Sequence, residues 1–400
     1  MARHYYLTRS GKLRRKDNTL LFEPAGENVE TEKPSENAAD NEADENFGNE
    51  NAAPIGQGIG ADHLGDLSFD AEGEKAIETF DPEKESDEVT AAPVRVRERR
   101  VIPVEDVDAV WSFRELDLNS RVLNFLAQKK IPVHFFNYYG FYSGSFYPRE
   151  YLQAGFLLVR QVNHYLSNQK RLKIAREIIA AALHNILRNL RYRDSRGADL
   201  QEETEAVQTE VLRLGSVKTI NELMACEGRA RAAYYQAFEK IIKRDVEFKK
   251  RVRRPPDNMV NALISFTNGL VYSSVLTQIY RSQLDPTISF LHEPGFRRFS
   301  LALDLAEIFK PILADRLVFR LFNNGQISEK HFAADLNCCY LKESGRKTVL
   351  QEWDKRLGTT IEHRRLKRKV SYERLIRLEC YKLVRHLTEV EEYKGFRAWW

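Results

Sequence analysis

The chain has 400 residues, 42% of them hydrophobic, which exceeds a typical single domain and allows a sizeable core. No run of 18 apolar residues occurs, so no transmembrane helix is expected, and the basic N-terminus MARHYYLTRSGKLRRK lacks the apolar stretch of a signal peptide. The net charge of +4 conceals an asymmetry: residues 23 to 90 hold 21 Asp or Glu against 3 Lys, net −18, so the remainder carries 59 Lys or Arg against 37 acids, net +22. A body that basic is a candidate polyanion binder, nucleic acid first among them. Cys226, Cys338, Cys339 and Cys380 form no CxxC pair and no zinc spacing, which points to reduced thiols and a cytoplasmic location.

In chain order, His4 to Thr8 and Thr19 to Phe22 read as strands, with Arg9-Ser10-Gly11 as a turn. Residues 24 to about 97 are rich in Glu, Asp, Asn, Ala and Gly and poor in apolar side chains. Such a composition buries too little surface to offset ordering entropy, so this stretch is expected to be a disordered insertion between two strands. Strand character resumes at Arg100 to Val104 and Ala109 to Phe113, Asn119-Ser120 caps a short helix, and Ile131 to Phe136 with the aromatic run to Tyr147 returns to strands. From Glu150 the periodicity is helical, with helices expected at about 201–214, 217–246, 257–282, 298–322, 327–337, 346–357 and 371–388. The predicted fold is α+β in two domains. A small N-terminal β-rich domain spans 1–148, interrupted by the acidic insertion at 24–97, and a larger all-α domain spans 149–400.

The most informative segment is LHEPGFRRFSLALDLAEIFKP, from Leu291 to Pro311. It sets His292 in a Pro/Gly-containing loop and puts Asp304 and Glu307 in an apolar run. Three residues apart on a helix, the two acids share a face. Unpaired carboxylates in an apolar stripe are costly to bury, so they need a donor, a base or a cation. One reading pairs them with Arg297, Arg298 or Lys310 on a solvated face. The other joins them to His292 as ligands of Mg²⁺ or Mn²⁺, since oxygen and imidazole donors suit those ions. A further acid, Glu227, precedes Gly228 at the start of a helix in CEGRARAAYYQAFE, where the helix dipole alone favours it. Asn258, Asn261, Ser265 and Asn268 recur at three and four spacing as a polar helix face, suited either to phosphate or metal-shell contacts or to tying helices together. Basic clusters lie at Lys249 to Arg254, Arg297-Arg298 and Arg364 to Lys369. The aromatic run Phe135 to Tyr147 suits base stacking or packing of the β domain.

Together these segments resemble the CRISPR-associated integrase family, the "Cas-one" protein of the adaptation module. The motifs are Glu227-Gly228 with Arg231 and Tyr234, Pro256 with the Asn/Ser face, Asp285-Pro286, Leu291-His292, and Leu303-Asp304 with Glu307 and Pro311. HYYLTRSGKLRRKDNTLLFE, IPVHFFNYYGFYSGSFYPREYL and KVSYERLIRLECYKL look like the subtype I-B branch. The resemblance covers nearly everything except residues 24 to about 97. It implies a metal-dependent DNA endonuclease and integrase that inserts spacer DNA into CRISPR arrays by 3′-hydroxyl attack on a phosphodiester. It matches Glu227, His292 and Glu307 to the metal ligands and Asp304 to a supporting acid, either a direct ligand or one that holds a ligand in place. Arg297 and Arg298 are candidate DNA contacts, and Arg231, one turn after Glu227 on its side of the helix, either contacts a phosphate or pairs with an acid. The resemblance also implies a homodimer built on the β domain, bridged in pairs by the small "Cas-two" adaptation protein. Two rival readings are a stand-alone repair nuclease acting on branched DNA and a non-catalytic DNA-binding scaffold.

Overall fold

The computed structural model describes residues 3–25 and 100–400, apart from 153, 244, 245, 247, 254, 296–298, 336 and 337. The acidic insertion expected at 24–97 therefore lies almost wholly outside the described residues. Its flanks are informative. Strand β1 (Arg3–Leu7) is followed by β2 (Gly11–Lys16) and β3 (Thr19–Pro24), and β4 (Arg100–Pro103) pairs antiparallel with β3, Leu20 opposite Ile102 and Phe22 opposite Arg100. The chain thus leaves and re-enters at the same end of one strand pair. The remaining elements of this region are β5 (Val107–Ser112), β6 (Leu116–Asp117), α1 (Ser120–Gln128), β7 (Val133–Phe136) and β8 (Tyr142–Phe146). They complete two four-stranded sheets, ordered β1-β5-β7-β8 and β4-β3-β2-β6. Asn119 caps α1, its side chain accepting from Val122 N at 3.0 Å. The strand Gly11–Lys16, of which the sequence reading assigned only Gly11, to a turn, alternates buried Gly11 and Leu13 with exposed Lys12 and Arg14, the period of a one-sided strand.

All six residues of β5 are buried, because this strand serves two cores. Val107 and Val110 face the β-domain cluster with Leu7, Leu13, Leu20, Phe22, Val122 and Phe125. Ala109 and Trp111 face the helical core on the other side. The helices that build that core are α2 (Gly155–Leu166), α3 (Asn168–Asp194), α4 (Gln201–Arg213), α5 (Ile220–Ile241), α6 (Met259–Tyr280), α7 (Ser300–Lys310), α8 (Arg316–Asn323), α9 (Glu343–Gly358) and α10 (Tyr372–Leu387). Among the described residues α6 alone is long and apolar enough to cross a membrane, and 78% of its apolar window is buried in the protein. It is the central core helix. The aromatic run packs on it, Phe136 near Phe266 and Tyr142 edge-on to Tyr272 at 5.0 Å, which favours packing over base stacking.

The C-terminal region is helical but not all-α. It carries two hairpins, β9 (Phe332–Asp335) with β10 (Cys338–Leu341) and β11 (Thr360–His363) with β12 (Arg368–Ser371). Of residues 327–337, expected to be helical, the described ones, 327–335, instead hold a single 3₁₀ turn at Glu329–His331 and then β9. Backbone pairing with β10, itself buried along its length, overrides the local periodicity there. Cys338 and Cys339 lie on β10, and none of the four cysteines forms a disulfide.

Polar pins join sheet and helices. Trp111 Nε1 donates to Ser273 Oγ at 2.9 Å, and the His134 ring bridges Ser145 at 2.7 Å and Thr277 at 2.8 Å. At the same seam the His4 ring lies among Asp108, Glu373 and Asp354, 3.6–3.7 Å from each, and Arg281 Nη1 meets Asp108 at 2.5 Å. Burial alone would push the His4 imidazolium down, but Asp108 and Glu373 outweigh it and hold its pKa up to about 9, against an ordinary 6.5. A group raised in the folded state stabilises fully below its unfolded pKa and loses that contribution as pH rises through the folded value. Unfolding of His4→Ala in urea should therefore show a loss of about 2–3 kcal/mol at pH 7 relative to the parent. The gap should shrink between pH 8 and pH 10. A gap unchanged at pH 10 would mean that His4 does not act as a cation between its carboxylates.

Candidate active site

Helix α5 begins at Ile220, where the Thr219 hydroxyl accepts from Glu222 N at 3.2 Å while Glu222 reaches back to Lys218 N at 2.8 Å. Glu227 therefore lies two turns into the helix and not at its start, so the dipole does not explain the acid. Its partner is Arg231, four residues on and on the same face, whose Nε donates to Glu227 Oε1. The same guanidinium donates through Nη2 to Glu307 Oε2 on α7. Glu307 Oε1 accepts from Lys310 Nζ at 2.6 Å. One Arg thus bridges acids that are far apart in sequence, and both oxygens of Glu307 carry a cation. Burial would raise the Glu307 pKa, but Arg231 and then Lys310, with a contribution from His292, hold it down to about 2. Glu307 does meet Lys310, one of the cations the solvated-face reading named, but the pair is buried and does not lie on a solvated face: the Glu307 side chain is 9% exposed.

Asp304 is fully buried and completely engaged. Its Oδ2 accepts from Phe290 N at 2.6 Å and Leu291 N at 2.8 Å, and its Oδ1 accepts from His292 N at 3.0 Å and His292 Nδ1 at 2.8 Å. A carboxylate accepting from Nδ1 fixes the proton there and leaves the Nε2 lone pair as the ring's ligating atom, the usual support for a metal-bound imidazole. Other side chains hold the loop from outside. Gln161 bonds Asp285 N and O and Ile288 O at 2.8–3.1 Å, Arg171 Nε donates to Phe290 O at 2.9 Å, and Ser289 Oγ donates to His292 O at 2.7 Å. Gln161 and Arg171 were invisible as site residues in the sequence: they lie on α2 and α3, and each bonds loop carbonyls more than a hundred positions away.

Past Lys310 the helix widens into a π turn, Pro311–Asp315, before α8. Pro311 has no N–H to continue the ladder. Side-chain amides of α3 take up carbonyls near it, Asn185 on Ile308 O at 2.9 Å and Asn189 on Pro311 O at 2.7 Å. The turn brings Asp315 close to Arg231 and Tyr234, and burial raises its carboxyl to about 7. Asp315 escaped the sequence reading because nothing in its neighbours marks the wide turn. Tyr234 is buried, its hydroxyl accepting from Asn189 at 3.0 Å, and so belongs to the core side of this network.

The Asn/Ser face of α6 ties segments together. Asn258 caps the helix, and Asn261 and Ser265 bind Arg251 at 3.1 Å and 2.9 Å, which turns that member of the Lys249–Arg254 cluster inward. Arg231 is likewise occupied with acids. Arg297 and Arg298 lie outside the described residues. Among the described residues the tightest His/Asp/Glu grouping is His4, Asp108 and Glu373; the Glu227, His292 and Glu307 set is wider, with a guanidinium between its carboxylates.

The profile of the family described as "CRISPR associated protein Cas1" matches residues 84–355. The chain belongs to the Cas1 family. A CRISPR-associated endonuclease Cas1 of Moorella thermoacetica is 53% identical over 305 residues, covering 76% of this chain and 92% of that protein. One from Fusobacterium nucleatum is 50% identical over 303 residues, covering 76% and 90%. A solved Cas1 protein from Thermotoga maritima superposes with a TM-score of 0.72 at 34% identity, over 98% of this chain and 99% of that one. The fold also matches a casposase bound to its integration product, with a TM-score of 0.75 at 17% identity over 98% and 92%. The α+β class, β-rich at the N-terminus and helical after it, is thus that of the Cas1 family.

Proposed function

We propose that this protein is the metal-dependent integrase of CRISPR adaptation, joining a 3′-hydroxyl of spacer DNA to a phosphodiester of the array. The observation that carries this reading is the His292–Asp304 bond at 2.8 Å, which aims the free imidazole nitrogen from a loop built to hold it. Two carboxylates, Glu227 and Glu307, and that imidazole are the donor set, and they suit Mg²⁺ or Mn²⁺ rather than a thiolate metal. When bound, such an ion neutralises nonbridging oxygens and lowers the pKa of the attacking hydroxyl. The chain's own part is positional and electrostatic. Asp304 sets the ring, Arg231 holds the two acids at a fixed separation, and Lys310 adds a cation beside the phosphate path. The net +22 outside the acidic stretch supports a DNA substrate. A second copy of the chain and the small "Cas-two" protein are the proposed partners; solved neighbours of the same fold include a Cas6-RT-Cas1–Cas2 complex, with a TM-score of 0.70 at 16% identity.

The test is strand transfer of a short duplex with 3′-hydroxyl ends into a supercoiled plasmid carrying the repeat. Joined products are expected with Mn²⁺ or Mg²⁺ and none in EDTA. Full joining in EDTA would overturn the metal assignment. Cleavage of branched DNA without joining would favour the repair-nuclease reading.

A further inference from the structure

The two acids of the site are neutralised by the chain's own cations. Arg231 donates to both Glu227 and Glu307, and Lys310 takes the second oxygen of Glu307 at 2.6 Å. Counting the Asp304 carboxylate that holds the His292 ring, three carboxylates stand against one guanidinium and one ammonium, so the chain's own cations cancel all but one of the site's negative charges. These cations are well shielded from water: the Arg231 side chain is 9% exposed and that of Lys310 is 18% exposed. Their field therefore acts at short range in a medium that screens poorly. A divalent ion entering this site meets two like charges beside its ligands, and it must share carboxylate oxygens that already accept hydrogen bonds. Once bound, it leaves the site with a net positive charge. A DNA phosphate is the group that offsets such an excess.

We propose that Arg231 and Lys310 make metal occupancy conditional on DNA, so that the ion binds weakly to the free protein and tightly once a phosphodiester lies on the site. The inference rests on the reading of Glu227, His292 and Glu307 as metal ligands. It has a reciprocal consequence, since linkage requires the ion to tighten DNA binding by the same factor. The device would keep the free enzyme largely unloaded and confine the active state to the DNA complex.

The experiment measures Mn²⁺ binding to the full chain by loss of the free-ion paramagnetic signal. Titrations run with and without a DNA duplex whose 3′ ends are dideoxy, so that no joining occurs, at fixed ionic strength and with DNA alone subtracted. The parent should bind Mn²⁺ at least about tenfold more tightly with DNA, within the usual range of coupling between sites. Lys310→Met should bind Mn²⁺ more tightly than the parent in the absence of DNA, and its DNA-dependence should fall to about threefold or less. Arg231→Gln should behave likewise if it folds, and Arg231→Lys should restore the coupling. A residue that merely supports the fold would weaken binding in both states, opposite to this result. Equal Mn²⁺ affinity of the parent with and without DNA, or an unchanged ratio in Lys310→Met, would overturn the proposal. Glu227→Gln separates the two levels. If it abolishes the bound ion while Lys310→Met leaves the ratio intact, only the coupling fails. If the bound ion survives Glu227→Gln, the metal-ligand reading fails with it.

Discussion

Glu307→Gln is expected to lower strand transfer by about 10³-fold or more and to destabilise the protein by about 3 kcal/mol, whereas Glu227→Gln should match the first effect with little of the second. Losing a carboxylate ligand removes several kcal/mol of charge stabilisation at the reacting phosphate, and each 1.4 kcal/mol is tenfold. The stability effects differ because the two acids have different dependants. Glu307 serves Arg231 through one oxygen and Lys310 through the other, and its side chain is 9% exposed. Removing it strands two buried cations, and breaking a buried pair from one side costs about 3–5 kcal/mol. Glu227 is 15% exposed, and when it is lost Arg231 still has Glu307. Double replacement of Glu307 by Gln and Lys310 by Met should recover part of the stability and none of the activity. The folded pKa of Glu307, near 2, lies below its ordinary 4.5, so its stabilisation is complete above the latter and fades as pH falls through the former. The stability gap between parent and Glu307→Gln should therefore narrow from pH 4.5 downward. Urea unfolding across that range checks it; a constant gap would mean that the Glu307 carboxylate is not the anion its two cations depend on.

The acids and the imidazole were legible in the chain for a local reason. Carboxylates at Asp304 and Glu307 stand out in the apolar run of α7, and His292 sits among Pro and Gly where no helix would form. Spacing also contained the signal for Arg231, because Glu227 and Arg231 stand four apart on one helix. It could not show that the same guanidinium crosses to Glu307, since that contact depends on how α5 packs beside α7. The expected helix at 327–337 failed for a similar reason: backbone pairing between Phe332–Asp335 and Cys338–Leu341 decides that segment, and a partner strand leaves no mark on a residue's own periodicity. Fold class came through because the short strand-prone runs at His4 to Thr8 and Thr19 to Phe22 and the long helical patterns of α3 and α6 are internal to each element. The supports that hold the site, Gln161, Arg171 and Asp315, are single polar residues whose partners lie far away in sequence.

Asp304→Asn is expected to be almost as damaging as Asp304→Ala, although the amide is nearly the same size as the carboxylate. Asp304 faces only donors: Phe290 N and Leu291 N on one oxygen, His292 N and Nδ1 on the other. An amide has one acceptor end and one donor end. Either orientation points an NH₂ at two N–H groups, so half of the loop's anchors are lost and the His292 ring loses its fixed tautomer or its backbone seat. At a fully buried position the unmatched donors cost about 1–3 kcal/mol each before relaxation. The expected result is a stability loss of about 2–4 kcal/mol, together with a 10–100-fold loss of Mn²⁺ affinity, the usual effect of removing a group that orients a ligating imidazole. A direct-ligand role for Asp304 makes a different prediction. There the amide would weaken metal binding while leaving the folded protein close to its original stability, because an oxygen reserved for the ion would not be anchoring backbone. Thermal unfolding of Asp304→Asn without metal, set beside its Mn²⁺ titration, therefore separates the two roles, and an unchanged melting temperature with lost affinity would place Asp304 among the ligands.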